Sequence, residues 1–365
     1  MLGITRFFLA ILVLLSHTTG AGFTFNPGVV SVIVFYFTSG YLMQRSYKRF
    51  VEHSRTPVRS FYADRILKLF PQYAVVVLAS FAAIACFGPA QHVLFLNQEP
   101  DLVKIVLNLA LLPANYVFPP LTIAGILPHP IIPPAWSLAS EFHFYLLLPL
   151  IFLLPRNRFA VLVGATLAIQ VSALFFGSGP FNSDNFGYRF IFGVLVFFLA
   201  GCAYARSASE PFYRRLLQTV WAIYAVMLIG VAPALGLFKN RFALEALLGA
   251  VLAWPLVAAA LRAQVTEPWL KALDNRLGRL AYPIFISHFL AFYLSEKWLG
   301  FQGQEGVAIP ACIFICLAIS LVLMKLQTLI DNYRLRRRGF ASMATGGPST
   351  PPPENSLTDA RPDSA

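Results

Sequence analysis

The chain has 365 residues, of which 58% are hydrophobic and 12% charged, with a mean hydropathy of +0.67. Soluble domains carry about 25% charged residues, so the composition excludes a soluble globular protein and points to a polytopic membrane protein. The net charge of +12, from 28 basic and 16 acidic residues, suits the Lys and Arg excess of cytoplasmic loops. With no soluble domain to carry a basic patch, no nucleic acid is expected as a partner.

The chain opens on an apolar run, Arg6-Phe-Phe-Leu-Ala-Ile-Leu-Val-Leu-Leu-Ser16-His17. On a helix, eleven residues at about 100° each return Arg6 and His17 to one face, with a rise of roughly 16 Å. A spanning helix would set Arg6 near one headgroup region and His17 near the membrane middle. An ionisable residue at that depth usually faces a cavity or a partner. The ordinary reading is a juxtamembrane Arg and a hydrogen-bonded core His; the alternative is a functional pair. A second apolar run begins soon after Thr18–Gly22, so an uncleaved first span is expected rather than a signal peptide.

Runs long enough to cross a bilayer need about 20 apolar residues. They fall near 4–22, 28–44, 70–88, 141–155, 159–177, 188–205, 217–237, 242–261, 280–298 and 306–328. The stretch 102–135 holds Pro113, Pro119, Pro120, Pro128, Pro130, Pro133 and Pro134, too many for a continuous helix. The basic segments between spans, first among them Arg45 to Lys68, predict cytoplasmic turns and cytoplasmic N- and C-termini. Parity then requires 102–135 to enter and leave on one side, as a re-entrant element lining a cavity, or to cross twice. The expected fold is an all-α polytopic membrane helical bundle of about ten transmembrane helices plus this proline-broken re-entrant segment. Residues 1–330 form its single domain. Residues 331–365 read as a basic stop, Arg334 to Arg338, and a disordered cytoplasmic tail.

Cys86, Cys202, Cys312 and Cys316 lie in or beside apolar runs, with no His or carboxylate beside Cys312 and Cys316 to make a metal site. They read as small packing residues, and no metal is expected. No internal repeat is visible, which leans against inverted-repeat transporter folds.

Polar clusters recur at span ends. Phe35 to Tyr41 contains Thr38, Ser39 and Gly40, small residues that permit close helix contact. In Phe61 to Pro71, Arg65 and Lys68 stand three residues apart, as an anchor or as a phosphate clamp. In Trp136 to Tyr145, Ser137 reads as an N-cap with Glu141 in the first turns. Glu141 and Tyr145 share a face, and Trp136 and Tyr145 suit interfacial anchoring. Gly278 to His288 places Tyr282 and a second histidine, His288, in a span.

In this order, these clusters resemble the acyltransferase-3 family of integral-membrane O-acyltransferases over roughly residues 4–330. Arg6 and His17 match its Arg-x10-His signature, and Phe37 to Tyr41 its Phe-x-Ser-Gly-aromatic segment. Arg65 to Pro71 is similar to its Arg-x-x-Arg-x-x-Pro element, with Lys68 for the second Arg. Trp136-Ser137-Leu138 through Glu141 and Tyr145 resembles its Trp-Ser-Leu-x-x-Glu block. Tyr282 to His288 resembles its Ser-Tyr-x-x-Tyr-x-x-His element, with Ala281 for Ser and Phe285 for the second Tyr. The tail is expected to be too short for the extracytoplasmic hydrolase-like domain that some members append.

The resemblance implies transfer of an acyl group, acetyl first among them, from cytoplasmic acyl-CoA to a hydroxyl of a cell-envelope or extracellular carbohydrate or lipid-linked glycan. It also implies residence in the bacterial inner membrane among its lipids. No bound cofactor is expected; acyl-CoA is the donor substrate. A neutral imidazole near midplane can act as general base or transient acyl acceptor, which assigns His17. Arg6, Arg65 and Lys68 would meet the CoA phosphates, and Glu141 would orient His17 or the acceptor hydroxyl. The other reading is a transporter or flippase for a lipid-linked sugar or small anion, since buried charge and broken helices suit transport as well.

Overall fold

The computed structural model describes residues 1–18, 25–116, 130–236, 241–263, 266–300 and 309–343. Among them there is no strand, and nine helices are long and apolar enough to cross a membrane. These are α2 (Pro27–His53), α3 (Pro57–Phe87), α5 (Ala135–Leu153), α6 (Arg156–Phe176), α7 (Ile191–Arg206, preceded by one π turn from Asn185), α8 (Pro211–Ala234), α9 (Arg241–Arg262), α10 (Pro268–Leu299) and α11 (Ile309–Met343). The shorter apolar α1 (Leu2–Ser16) and the nine-residue α4 (Leu102–Ala110) complete the set. With α1, the long helices make the expected ten. They alternate in direction, so Met1 and the end of α11 lie at one end of the bundle, called here the terminal end.

Several boundaries differ from the apolar runs. α2 and α3 are continuous helix through the basic segment, with only Ser54–Thr56 between them. Pro27 and Pro57 each open a helix where a missing N–H costs nothing, and the Asn26 side chain caps Gly28 N at 2.9 Å. α5 begins at Ala135, so Ser137 lies inside it. Its hydroxyl donates back to Pro134 O at 2.8 Å, which corrects the N-cap assignment. α11 runs past 330 to Met343. Residues 344–365 of the tail lie outside the described residues.

The two ends of 102–135 meet. Asn108 accepts from Ile131 N at 2.9 Å, and the phenol of Tyr73 in α3 donates to Asn108 O at 2.7 Å. Asn115 donates to Trp136 O, Ser140 Oγ and Arg189 O, and its Oδ1 accepts from Ile191 N. Both arms therefore stand at the end opposite the termini, as parity required. Residues 117–129, with Pro119, Pro120 and Pro128, lie outside the described residues.

α2 and α7 form the centre of the bundle. Lipid offers no hydrophobic gain for joining helices, so close backbone approach must supply the contact. Gly40 meets the Phe198 carbonyl and Gly201 meets the Phe37 carbonyl, each at a point where a Cβ would strike backbone. Gly40→Ala is expected to destabilise by about 1–3 kcal/mol. Gly164→Ala, facing open space, should be neutral. Thermal unfolding of the two variants in one detergent checks the contrast.

Candidate active site

α1 is anchored at its start. Its first N–H groups have no intrahelical partner, and Asp274 of α10 accepts from Ile4 N at 2.8 Å while the Met1 amino group donates to Ala260 O at 2.8 Å. Gly3 and Gly278 sit back to back, so α1 lies flush along α10. This fixes where both ionisable residues of α1 stand.

His17 closes α1. Its ring stacks on His288 at 5.4 Å with a 22° tilt, and meets the Phe289 edge-on at 5.0 Å. No hydrogen bond is made by either ring nitrogen of His17 among the described residues. His288 is fully buried; its Nδ1 faces Ile284 O at 3.2 Å, so that nitrogen carries the proton, and its Nε2 has no partner among the described residues. At 1.5 Å per residue, His288 lies about 30 Å from the start of α10 and about 16 Å from its end, so the stacked pair is inside the membrane span.

A second group forms around Glu141. Ser39 of α2 and Tyr145, one turn along α5, both donate to Glu141 Oε1 at 2.5 Å, short distances that fit hydroxyls bonded to a carboxylate. Oε2 makes no hydrogen bond among the described residues. Arg6 is within electrostatic reach of Glu141, Tyr145 and Asp274. No hydrogen bond joins Glu141 to His17.

The third group is basic. Asp64 pairs with Arg65 beside it and with Arg334 Nε at 3.1 Å, while Arg334 also pairs with Asp331 at 2.7 Å. Arg65 further donates to Met43 Sδ at 3.2 Å and is almost fully buried. Lys68, one turn on, is exposed and has no ion-pair partner among the described residues, although Arg65, Arg334 and Arg6 all lie within electrostatic reach. The two basic residues of the motif thus differ: Arg65 is bound into the protein, and Lys68 is free. Arg6 and His17 are partly buried and Lys68 is exposed.

Of the remaining candidates, Tyr282 donates to Leu69 O at 2.8 Å, beside the interruption that Pro71 makes in α3, which is a bracing role. Trp136 lies under Arg189, whose guanidinium is 5.2 Å from the ring and pairs with Asp184 at 2.7 Å. Arg189 is within electrostatic reach of His17 and Tyr36, and Tyr36 in turn of Glu141. Arg189, Tyr36, Asp64 and Arg334 were not legible as site residues. A lone Arg opening an apolar span five residues after an Asp was the available signal for Arg189. Arg334 read as part of a basic stop.

The groups therefore run from Lys68 and Arg334 near the terminal end, through Arg6 and Glu141, to His17 with His288, and to Arg189 beyond. The sequence matches the acyltransferase-3 family model, described as an acyltransferase domain, over residues 2–325. It is also similar to an uncharacterized protein of Aquifex aeolicus (strain VF5), 32% identical over 205 residues that cover 55% of this chain and 86% of that protein. No solved structure matches. Motif order, helical architecture and a match along nearly the whole bundle agree: the chain belongs to the acyltransferase-3 family and is an integral-membrane O-acyltransferase.

Proposed function

We propose that the protein moves an acyl group, acetyl in the first instance, from acyl-CoA to a hydroxyl of a cell-envelope or extracellular carbohydrate. The donor comes from the terminal, cytoplasmic end and the acceptor from the opposite end, across the bacterial inner membrane. The observation that supports this reading is the imidazole of His17, without a hydrogen-bond partner among the described residues, stacked on His288 and within electrostatic reach of Arg189.

The CoA phosphates rest on Lys68 and Arg6. The roughly 16 Å between Arg6 and His17 along α1 is a length that a pantetheine arm bridges, bringing the thioester to the imidazole. His17 takes the proton of the acceptor hydroxyl as that oxygen attacks the thioester carbonyl. The carbon–sulfur bond breaks, the thiolate leaves, and the proton passes to it. A transient acyl-imidazole would divide the same change into two steps. Glu141, with Ser39 and Tyr145 on Oε1, lies within electrostatic reach of Arg6 and turns it toward the donor, so it acts on the donor side and not on His17. His288 and Phe289 hold the His17 ring in place, and Arg189 and Trp136 form the acceptor side.

Membranes incubated with radiolabelled acetyl-CoA test the reading: label should move onto glycan, and glycan from cells lacking the protein should lose the mass of an acetyl group. Label passing the membrane unattached would point to transport instead. Lys68→Ala is expected to raise the KM for acyl-CoA about 10–100-fold, the worth of one charge-assisted contact, with kcat little changed and Lys68→Arg near normal. An unchanged donor KM would remove Lys68 from the donor site.

A further inference from the structure

We infer that the protein holds the headgroup of an anionic phospholipid in a basic cavity beside the α5–α6 and α7–α8 turns. The cavity measures about 360 Å³ and is lined by Arg45 and Lys48 of α2, Arg156 of α6 and Arg206 of α7, with Glu210 as the one carboxylate. These α2 positions lie around the helix from Met43 and Tyr47, which face α3. The cavity is therefore separate from the Lys68 group.

Its charges are not balanced from within. Glu210 is taken by Arg156 at 2.8 Å. Arg206 is held by Tyr213 Oη at 2.9 Å and Gln44 Oε1 at 3.2 Å, with the rings of Phe152, Phe159 and Tyr213 within 5.4 Å, and it has no carboxylate partner among the described residues. Arg45 donates to the Tyr41 phenol at 2.6 Å and likewise lacks one. Lys48 meets Glu52 only at 3.7 Å on the surface, an exposed pair of little worth. A guanidinium fixed among aromatic rings without a counter-ion favours an incoming anion, and its fork fits phosphate oxygens.

The surroundings favour a lipid over a soluble anion. Phe152, Leu154 and Pro155 form an apolar wall of the cavity. Beside it Leu146, Leu150 and Leu153 are exposed, and their spacing places them on one stripe of α5 running from the rim along the bilayer. A phosphodiester in the cavity would lay its acyl chains on that stripe.

Native mass spectrometry of the detergent-purified protein, titrated with dioleoylphosphatidylglycerol or dioleoylphosphatidylcholine, tests this. Wild type should bind one phosphatidylglycerol at least tenfold more tightly than phosphatidylcholine, and R45Q/K48Q should lose that preference. These two residues sit on the open side; R206Q would also cut the ties to Gln44 and Tyr213 and risks folding. Equal binding of both lipids by wild type, or an unchanged preference in R45Q/K48Q, would overturn the inference. Coenzyme A or inorganic phosphate in excess should displace nothing. Displacement by coenzyme A would reassign the cavity to a nucleotide, and displacement by phosphate to free anions, and either result would sink the lipid reading.

Discussion

Replacing His17 with alanine is expected to abolish acyl transfer, lowering kcat by about 10²–10⁴-fold, the usual worth of a positioned base, while the protein inserts and unfolds as wild type does. The fold should tolerate the change because α1 is anchored at its other end, by Met1 on Ala260 O and Asp274 on Ile4 N. The His17 ring itself ties nothing down through hydrogen bonds. His17→Gln, which fills much of the space without a titratable nitrogen, should be as inactive. The measurement is initial-rate transfer of labelled acetyl to glycan with protein content matched by immunoblot. A variant that keeps near-normal turnover would remove His17 from the chemistry and leave the free ring without a function.

The second large effect falls on stability. Asp64→Asn removes the carboxylate shared by Arg65 and Arg334, all three nearly fully buried. Breaking a buried ion pair from one side costs about 3–5 kcal/mol, since it strands the remaining charge. Arg334 keeps Asp331, so Arg65 carries most of the loss. A marked fall in the thermal unfolding midpoint is expected, measured in detergent by tryptophan fluorescence. Adding Arg65→Met should recover part of it, because the stranded cation is then gone. If D64N were as stable as wild type, the triad would be a surface convenience and Arg65 would be free for the donor after all.

The helical class was legible because apolar runs of span length leave a membrane chain few alternatives. The ends of those runs were less so: α2 and α3 continue as helix where their sequence turns basic, since charge marks the exit from lipid and not the end of hydrogen bonding. Local spacing correctly paired Glu141 with Tyr145, one turn apart. It was blind to Ser39, 102 residues away, which completes the same carboxylate. Arg65 and Lys68 look equivalent in sequence. Their difference comes from Arg334, whose approach to Asp64 depends on α11 packing against α3. Arg189 escaped for a related reason: its partners Trp136 and His17 arrive from α5 and α1, and its sequence neighbours alone suggest only the start of a span.

The shortness of α1 carries a consequence of its own. Fifteen residues rise about 22 Å, against a hydrocarbon slab of about 30 Å, so the helix bearing His17 stops well short of the far interface. Hydrophobic mismatch of this kind is met by local thinning or by water drawn inward from one side. On the proposed function, such thinning would shorten the path by which water and an acceptor hydroxyl reach His17. Under that proposal a hydrated carbohydrate would surrender little water to present a hydroxyl, and the longer apolar path would fall to the acyl donor.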